Sequence, residues 1–386
     1  MRWVSWITLA LCCVARAGAP PSPALDVLRD SGKGFMRADA PRTFEFPRDH
    51  GPHPDFRHEW WYVTGNLDSD TGERFGFEVT VFRVGLVPAG ASVSAVGAAG
   101  ADAAAASPGA HAGAVGADAV SAWRTREVYA AHFAITDVAR GVFKFSDRTS
   151  RGALGLAGAQ ADPMRAWIDD WQVGASKIHA RGEGYELTLD VDSVGDPVLN
   201  GDHGLSRKSS EPGSASYYYS IPRITVHGEI AHGGVISPVH GLAWLDREWG
   251  SGSLGAAERG WDWFAFQLQD GSTLMFYSLR KDNGTRDPNS AGTWVDASGH
   301  SRRLSNDEVS IDVSDHWTSP RGGRYPSHWR VRVPSTGLDV EVRPVLADQE
   351  LGTRPRYWEG AVNLRGTQSG SDISGRGYVE LVGYGE

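Results

Sequence analysis

The chain has 386 residues, among them 15 Trp and 48 Gly, with a formal net charge of −9. Its Lys and Arg are scattered, which sets nucleic acid aside as a partner, because phosphate binding needs a concentrated basic face. Many short strands with Gly-rich turns and aromatic interiors have this composition, so the fold class expected is all-β, built from two barrel-like halves.

In chain order, Arg2 precedes an uncharged apolar run from Trp3 to Ala15. Two small-residue cleavage patterns, Ala15-Arg16-Ala17 and Ala17-Gly18-Ala19, follow it, and then Pro20, Pro21 and Pro23. That is the layout of a cleaved signal peptide over residues 1–19. The run is shorter than the roughly 20 residues that span a bilayer. No second stretch of that length follows, so the mature chain of about 365 residues is expected to carry no integral membrane segment. Both cysteines, Cys12 and Cys13, fall inside the signal and leave the mature chain without thiol chemistry. Leu9-Ala10-Leu11-Cys12 resembles a lipobox, but Leu11 stands where a small residue belongs. A released periplasmic or secreted protein is the preferred reading.

Residues 20–41 read as a flexible polar leader. A first domain is expected over 42–254 and a second over 255–386. Trp60 to Leu67 and Phe75 to Arg83 form a hairpin about Asp68 to Glu73. Alternation puts Phe75, Phe77, Val79 and Val81 on one face and Gly76, Glu78, Thr80 and Phe82 on the other. Residues 88–122, almost all Ala, Gly, Ser and Val, read as a disordered insertion that cannot bury enough surface to offset its ordering entropy. A helical turn is expected near Met164 to Trp171, a hairpin about Gly182 and Gly184, and a polar loop from Pro197 to Gly213. An internal repeat then appears. Trp261 to Arg280 re-runs the first hairpin, and His328 to Val342 parallels Ile178 to Val191. Tyr357 to Gly366 answers Tyr219 to Gly228, and Gly375 to Glu380 answers Gly241 to Asp246. Duplication places the boundary near Gly250 to Gly260, and each half has strands enough to curl into a barrel.

Two polar clusters are candidates for chemistry. Asp49, His50, His53, Asp55, His58 and Glu59 lie within eleven residues, just before Trp60 and Trp61. Three His with acids suit zinc, yet the spacing matches no helix-borne metal motif; side chains satisfying one another at a barrel rim explain the cluster equally, and no cofactor is called for. In the second cluster, from His240 to Gly250, alternation puts Trp244, Asp246 and Glu248 on one face and Leu245, Arg247 and Trp249 on the other. Paired carboxyls beside Trp suit a general acid, while an Asp-Arg-Glu ion network is the structural alternative. His240 stands next to them as a further catalytic candidate. No G-x-S-x-G elbow, phosphate loop or dinucleotide fingerprint occurs. Tyr217, Tyr218, Tyr219, Trp60, Trp61, Trp244, Trp249, Trp261, Trp263, Tyr357 and Trp358 crowd corresponding places in the halves, either as core or, with His50, His53 and Glu59, as the lining of a ligand pocket.

The string Asp49 to Leu67 resembles the AttH family, which includes the carotenoid hydratases (hydroxyneurosporene synthases) and proteins described as secreted hydrolases. Ala131 to Asp137, Trp244 to Gly250, Gly260 to Phe264, Tyr357 to Gly360 and Gly377 to Tyr384 support the resemblance. It implies a pair of lipocalin-like, calycin-type barrels. By position it implies Asp246 as the acid that protonates an alkene, with Trp244, Trp249 or Trp261 beside the cation. The reading placed first is an exported binder of a hydrophobic small molecule or lipid, with an envelope export system as a candidate partner. The second is an acid-catalysed hydratase or cyclase on an isoprenoid-like substrate, and the third a metal-dependent hydrolase using His50, His53 and His58.

Overall fold

Period-two alternation broken by Gly-bearing turns makes strands, and antiparallel strands fill the molecule. The computed structural model describes residues 28–90, 125–252, 254–255 and 257–385. The expected signal peptide, the start of the leader and most of the Ala/Gly insertion lie outside them.

The first sheet holds β1 (His58–Ser69), β2 (Arg74–Gly85), β3 (Glu127–Asp137), β4 (Val142–Arg151), β5 (Ala157–Ala161), β6 (Met164–Ile168) and β7 (Trp171–Gly174). It continues with β8 (Lys177–Gly182), β9 (Tyr185–Val194), β10 (Val198–Leu199), β11 (Leu205–Arg207), β12 (Ala215–His232) and β13 (Val235–Gly250). The second sheet holds β14 (Glu258–Leu268), β15 (Thr273–Lys281), β16 (Ala291–Val295), β17 (Ser301–Leu304) and β18 (Ser310–Thr318). Its remaining strands are β19 (Arg324–Val333), β20 (Leu338–Pro344), β21 (Glu350–Leu351), β22 (Tyr357–Gln368) and β23 (Ser371–Val382). The first sheet runs β4-β3-β2-β1-β13-β12-β9-β8-β7-β6-β5, and the second β17-β16-β15-β14-β23-β22-β20-β19-β18. One path is walked twice: β1 and β2 match β14 and β15, β8 and β9 match β19 and β20, and β12 and β13 match β22 and β23. The repeat read from the sequence is therefore a repeat of topology. The first sheet curls into a nearly closed barrel and the second into a half-barrel, the lipocalin-like pair expected. Closure is tight where β8 crosses β4, since a Cβ on Gly182 would strike Ser146.

Two expectations need correction. Met164 to Trp171 contains no helical turn: Met164, Ala166 and Ile168 alternate inward on β6 into the barrel core. Pro197 to Gly213 is not wholly loop, because β10 and β11 lie along β12. The described part of the leader is pinned to the body. Met36 N donates to Asp55 O at 2.8 Å, Arg29 to Glu258 O at 2.6 Å, and Leu254 N to Leu28 O at 3.3 Å.

Phe75, Phe77, Val79 and Val81 fill the first barrel. Their opposite face is buried as well: Glu78 and Thr80 have no exposure, because the second half packs against it. A third apolar cluster joins Tyr62, Tyr218 and Trp244 to Trp263, Tyr277 and Tyr357 across that junction. Burying each such ring contributes about 2–3 kcal/mol.

Candidate active site between the sheets

Strand β13 presents Trp244, Asp246 and Glu248 to the junction and turns Leu245 and Trp249 into the barrel core, as period two requires. Around Asp246 and Glu248 lies a cavity of about 290 Å³, walled by both halves and mostly apolar. Trp60, Phe82 and Tyr218 line it from the first half, and Trp261, Trp263 and Tyr357 from the second.

Asp246 is almost completely buried, and among the described residues no cation forms an ion pair with it, the nearby Lys208 being paired with Glu248. Tyr218 Oη, Ser220 Oγ and Trp244 Nε1 lie 2.5, 2.6 and 2.7 Å from its oxygens. Burial pushes its pKa up to about 7, against the downward pull of those three donors. Trp263 Nε1 donates to Tyr218 Oη at 3.1 Å, so the second half helps to set this acid. Glu248 has other partners: it accepts from Ser216 and pairs with Lys208 at 3.0 Å, and Lys208 stands 4.2 Å over Tyr277. Opposite, on β23, Glu380 accepts from Trp261 Nε1 at 3.0 Å. Burial raises its pKa to about 7, with the charges of Asp246 and Glu248 adding to the rise. Behind it Glu359 accepts from Tyr62 at 2.7 Å and Glu78 from Thr80 at 2.6 Å. His132 meets Tyr357 Oη at 2.7 Å, and burial holds its pKa down at about 4, which keeps the ring neutral.

The sequence-derived candidates divide between this cavity and the barrels. Asp246, Glu248, Glu59, Trp60, Trp261, Trp263 and Tyr357 line the cavity, and Trp244 holds Asp246. Trp61, Trp249 and Tyr219 are in the core of the first barrel and Trp358 in that of the second. His240 lies on the surface, 3.9 Å from Asp70. The cluster before β1 divides its work. Glu59 pairs with Arg83 and, at 3.0 Å, with Arg247, both fully buried. Burial raises the Glu59 pKa, but the Arg83 and Arg247 charges outweigh it and hold the carboxyl well below its ordinary value. His53 stacks on Trp249 at 3.8 Å and bonds Glu59 and Asp49, while His50 bonds Tyr219 Oη at 2.7 Å. His58 is buried, and desolvation lowers its pKa to about 3. Among the described residues no group of three or more His, Cys, Asp or Glu is placed to hold a metal ion.

A bulge hides from the sequence which of Tyr217, Tyr218 and Tyr219 answers Tyr357. The β12–β13 register shifts between Ile221 and Ile224, around Pro222, which has no N–H to give the ladder. Tyr218 pairs with Glu248, two beyond Asp246; Tyr357 pairs with Val382, two beyond Glu380. Tyr218, not Tyr219, is thus the counterpart of Tyr357. Glu380 had a signal, since Gly375 to Glu380 repeats Gly241 to Asp246.

A family model described as AttH-like matches residues 37–384. The crystal structure of an AttH protein from Nitrosomonas europaea is 33% identical, with a TM-score of 0.73 over 89% of this chain and 99% of that one. Kievitone hydratase from Nectria haematococca shares the fold at 14% identity, with a TM-score of 0.62 over 92% of this chain and 97% of that one. The dehydratase asqC of Emericella nidulans is 26% identical over 198 residues, 48% of this chain and 55% of that protein. The chain thus matches about half the length of this curated relative. Among the described residues no helix is long and apolar enough to cross a membrane.

Proposed function

The chain belongs to the AttH-like family, and on that premise we propose that it takes a compact apolar or amphipathic molecule into the cavity between its sheets and adds or removes water there. The observation that carries this is Asp246, a buried carboxyl that has no ion-pair partner among the described residues and retains its proton near neutrality on the wall of an apolar cavity. The hydratase and dehydratase among its relatives support the same reading.

In the hydration direction the Asp246 carboxyl gives its proton to one alkene carbon, the π pair forming the new C–H bond. The rings of Trp263 and Tyr218 face the cation left on the neighbouring carbon. Water adds its oxygen there and releases a proton to the Glu380 carboxylate, and proton return from Glu380 to Asp246 closes the cycle. Dehydration is the reverse. A 150 Å³ cavity takes up benzene, so a cavity of about 290 Å³ favours a short isoprenoid or prenylated phenol over a long carotenoid chain.

Incubation with linalool, a tertiary allylic alcohol, in H2¹⁸O tests the reading. Reversible loss of water exchanges the label into the alcohol, and Asp246→Asn lowers the exchange at least 100-fold at unchanged fold. Tight uptake of linalool without exchange would leave a binder of apolar molecules, the reading placed first from sequence. Export through residues 1–19 is part of the proposal; N-terminal sequencing of the mature protein is expected to start at Gly18 or Pro20.

A further inference from the structure

The duplicated halves are filled differently. Inside the first barrel, apart from the cavity between the sheets, a pocket of about 200 Å³ runs in from the end marked by Pro47 and Pro163. Val63, Val173, Ile178, Ile221 and Leu245 wall it; His50, held through Nδ1 by Tyr219, is a polar group on its wall, and Asp162 is another, beside Pro163. Strand pairing supplies the comparison. Val63 pairs with Leu245 and Phe264 with Val379, each one residue before Asp246 or Glu380. Phe264 therefore stands in the second half where Val63 stands in the first. It is buried edge-on against Trp329, with ring centroids 5.9 Å apart.

Trp329 has its own missing counterpart. It pairs with Val342, which corresponds to Val191, since Val191 pairs with Val226 and Val342 with Leu364. Across from Val191 the first half has Ser176, whose carbonyl accepts from Val191 N at 3.1 Å. Ser176 follows Gly174 and Ala175 of the pocket wall. Two rings that fill the second half are thus absent from the first. An unfilled apolar volume costs stability, because the atoms around it lose contacts. This chain carries in its own second half the side chains that fill such a space. Apolar voids of this kind stay dry and accept apolar molecules.

We infer that the first barrel is a second binding site, for one compact apolar molecule a little larger than benzene. It enters by the Pro47–Pro163 end, seats its body among Val63, Ile178 and Leu245, and turns any polar group toward His50. The site is separate from the cavity at Asp246 and independent of the chemistry proposed there.

Bromobenzene soaked into crystals of the full chain reports by anomalous scattering which cavity it enters, and methyl NMR of Ile178 and Leu245 during a fluorobenzene titration reports affinity in solution. Bromine density among Val63, Ile178 and Leu245 is expected. Val63→Phe is expected to abolish it, to weaken fluorobenzene binding at these methyls at least tenfold, and to raise the Tm of the free protein by a few degrees. Ala175→Trp, at the exposed rim, blocks entry without touching the core and serves if Val63→Phe does not fold. Bromine found only beside Asp246, or affinity unchanged in both variants, overturns the inference.

Discussion

Asp246 and Glu59 are both fully desolvated carboxyls, and they have opposite chemistry because of what stands beside them. Glu59 lies between the buried guanidinium groups of Arg83 and Arg247, so it is ionised and structural. Removing it leaves two cations in the interior, and Glu59→Gln is expected to cost about 3–5 kcal/mol in urea unfolding. Asp246 accepts from three neutral donors, the nearby Lys208 being paired with Glu248, and its proton stays on to about pH 7. Water exchange is expected to peak at about pH 7, falling above it as Asp246 loses its proton and below it as Glu380 gains one, with no matching loss of fold in a parallel circular dichroism titration. A rate that keeps rising above about pH 7 would assign the proton transfer elsewhere.

Strands β2 and β13 are each two-faced, and neither face meets water over most of its length. Along β2, Phe77 fills the barrel while Glu78 faces the other half. Phe77→Ala is therefore expected to cost about 3–5 kcal/mol, as a cavity in a closed core does. Sharp approach between strands is met by glycine at matching places in the repeat. A Cβ on Gly241 would lie 2.1 Å from the Asn66 carbonyl oxygen, and one on its counterpart Gly375 2.6 Å from that of Gln267. Gly241→Val is expected to lower the urea midpoint by the equivalent of about 2–4 kcal/mol, since β1 and β13 must separate to admit it. A midpoint unchanged by this substitution would mean that the strands slide freely there.

Joining the halves buries a row of acids that an isolated sheet would leave in water. Burial raises Asp246 and Glu380 to about 7 and Glu78 to about 8, and pushes Glu359 up too, with Glu380 and Glu78 beside it adding to the rise. The folded chain therefore holds more protons than the unfolded chain between the ordinary carboxyl range and about pH 8. Stability from these groups is full below the ordinary carboxyl range and is lost progressively from there as pH climbs to about 7 to 8. Glu59 and Asp49, held low by their partners, act in the other sense and withdraw stability as pH falls below about 4.5. Unfolding free energy is thus expected to peak at about pH 4.5, and Glu78→Gln to flatten its decline, adding about 2 kcal/mol at pH 8. Residues 257–385 expressed alone would expose the apolar junction around Trp263, Tyr277 and Tyr357. Strong anilinonaphthalene sulfonate binding by that half, absent from the full chain, is the expected sign.

Much of the molecule was legible in the chain itself. Period-two alternation set the strands, and the repeat of Gly241 to Asp246 in Gly375 to Glu380 disclosed two halves of one topology. The same alternation put Trp244, Asp246 and Glu248 on a common face, because the sign of a side chain's direction is inherent in a pleated strand. What alternation does not carry is the medium each face meets. Only packing made the Glu78 face an interior, drew Trp61, Tyr219 and Trp249 into a core, and placed the cavity between the sheets. The bulge at Pro222 set Tyr218 in the site in place of Tyr219, since one extra residue reverses every direction before it. Burial and opposing charge decide whether a carboxyl is an acid or a strut, and both are properties of neighbours distant in sequence.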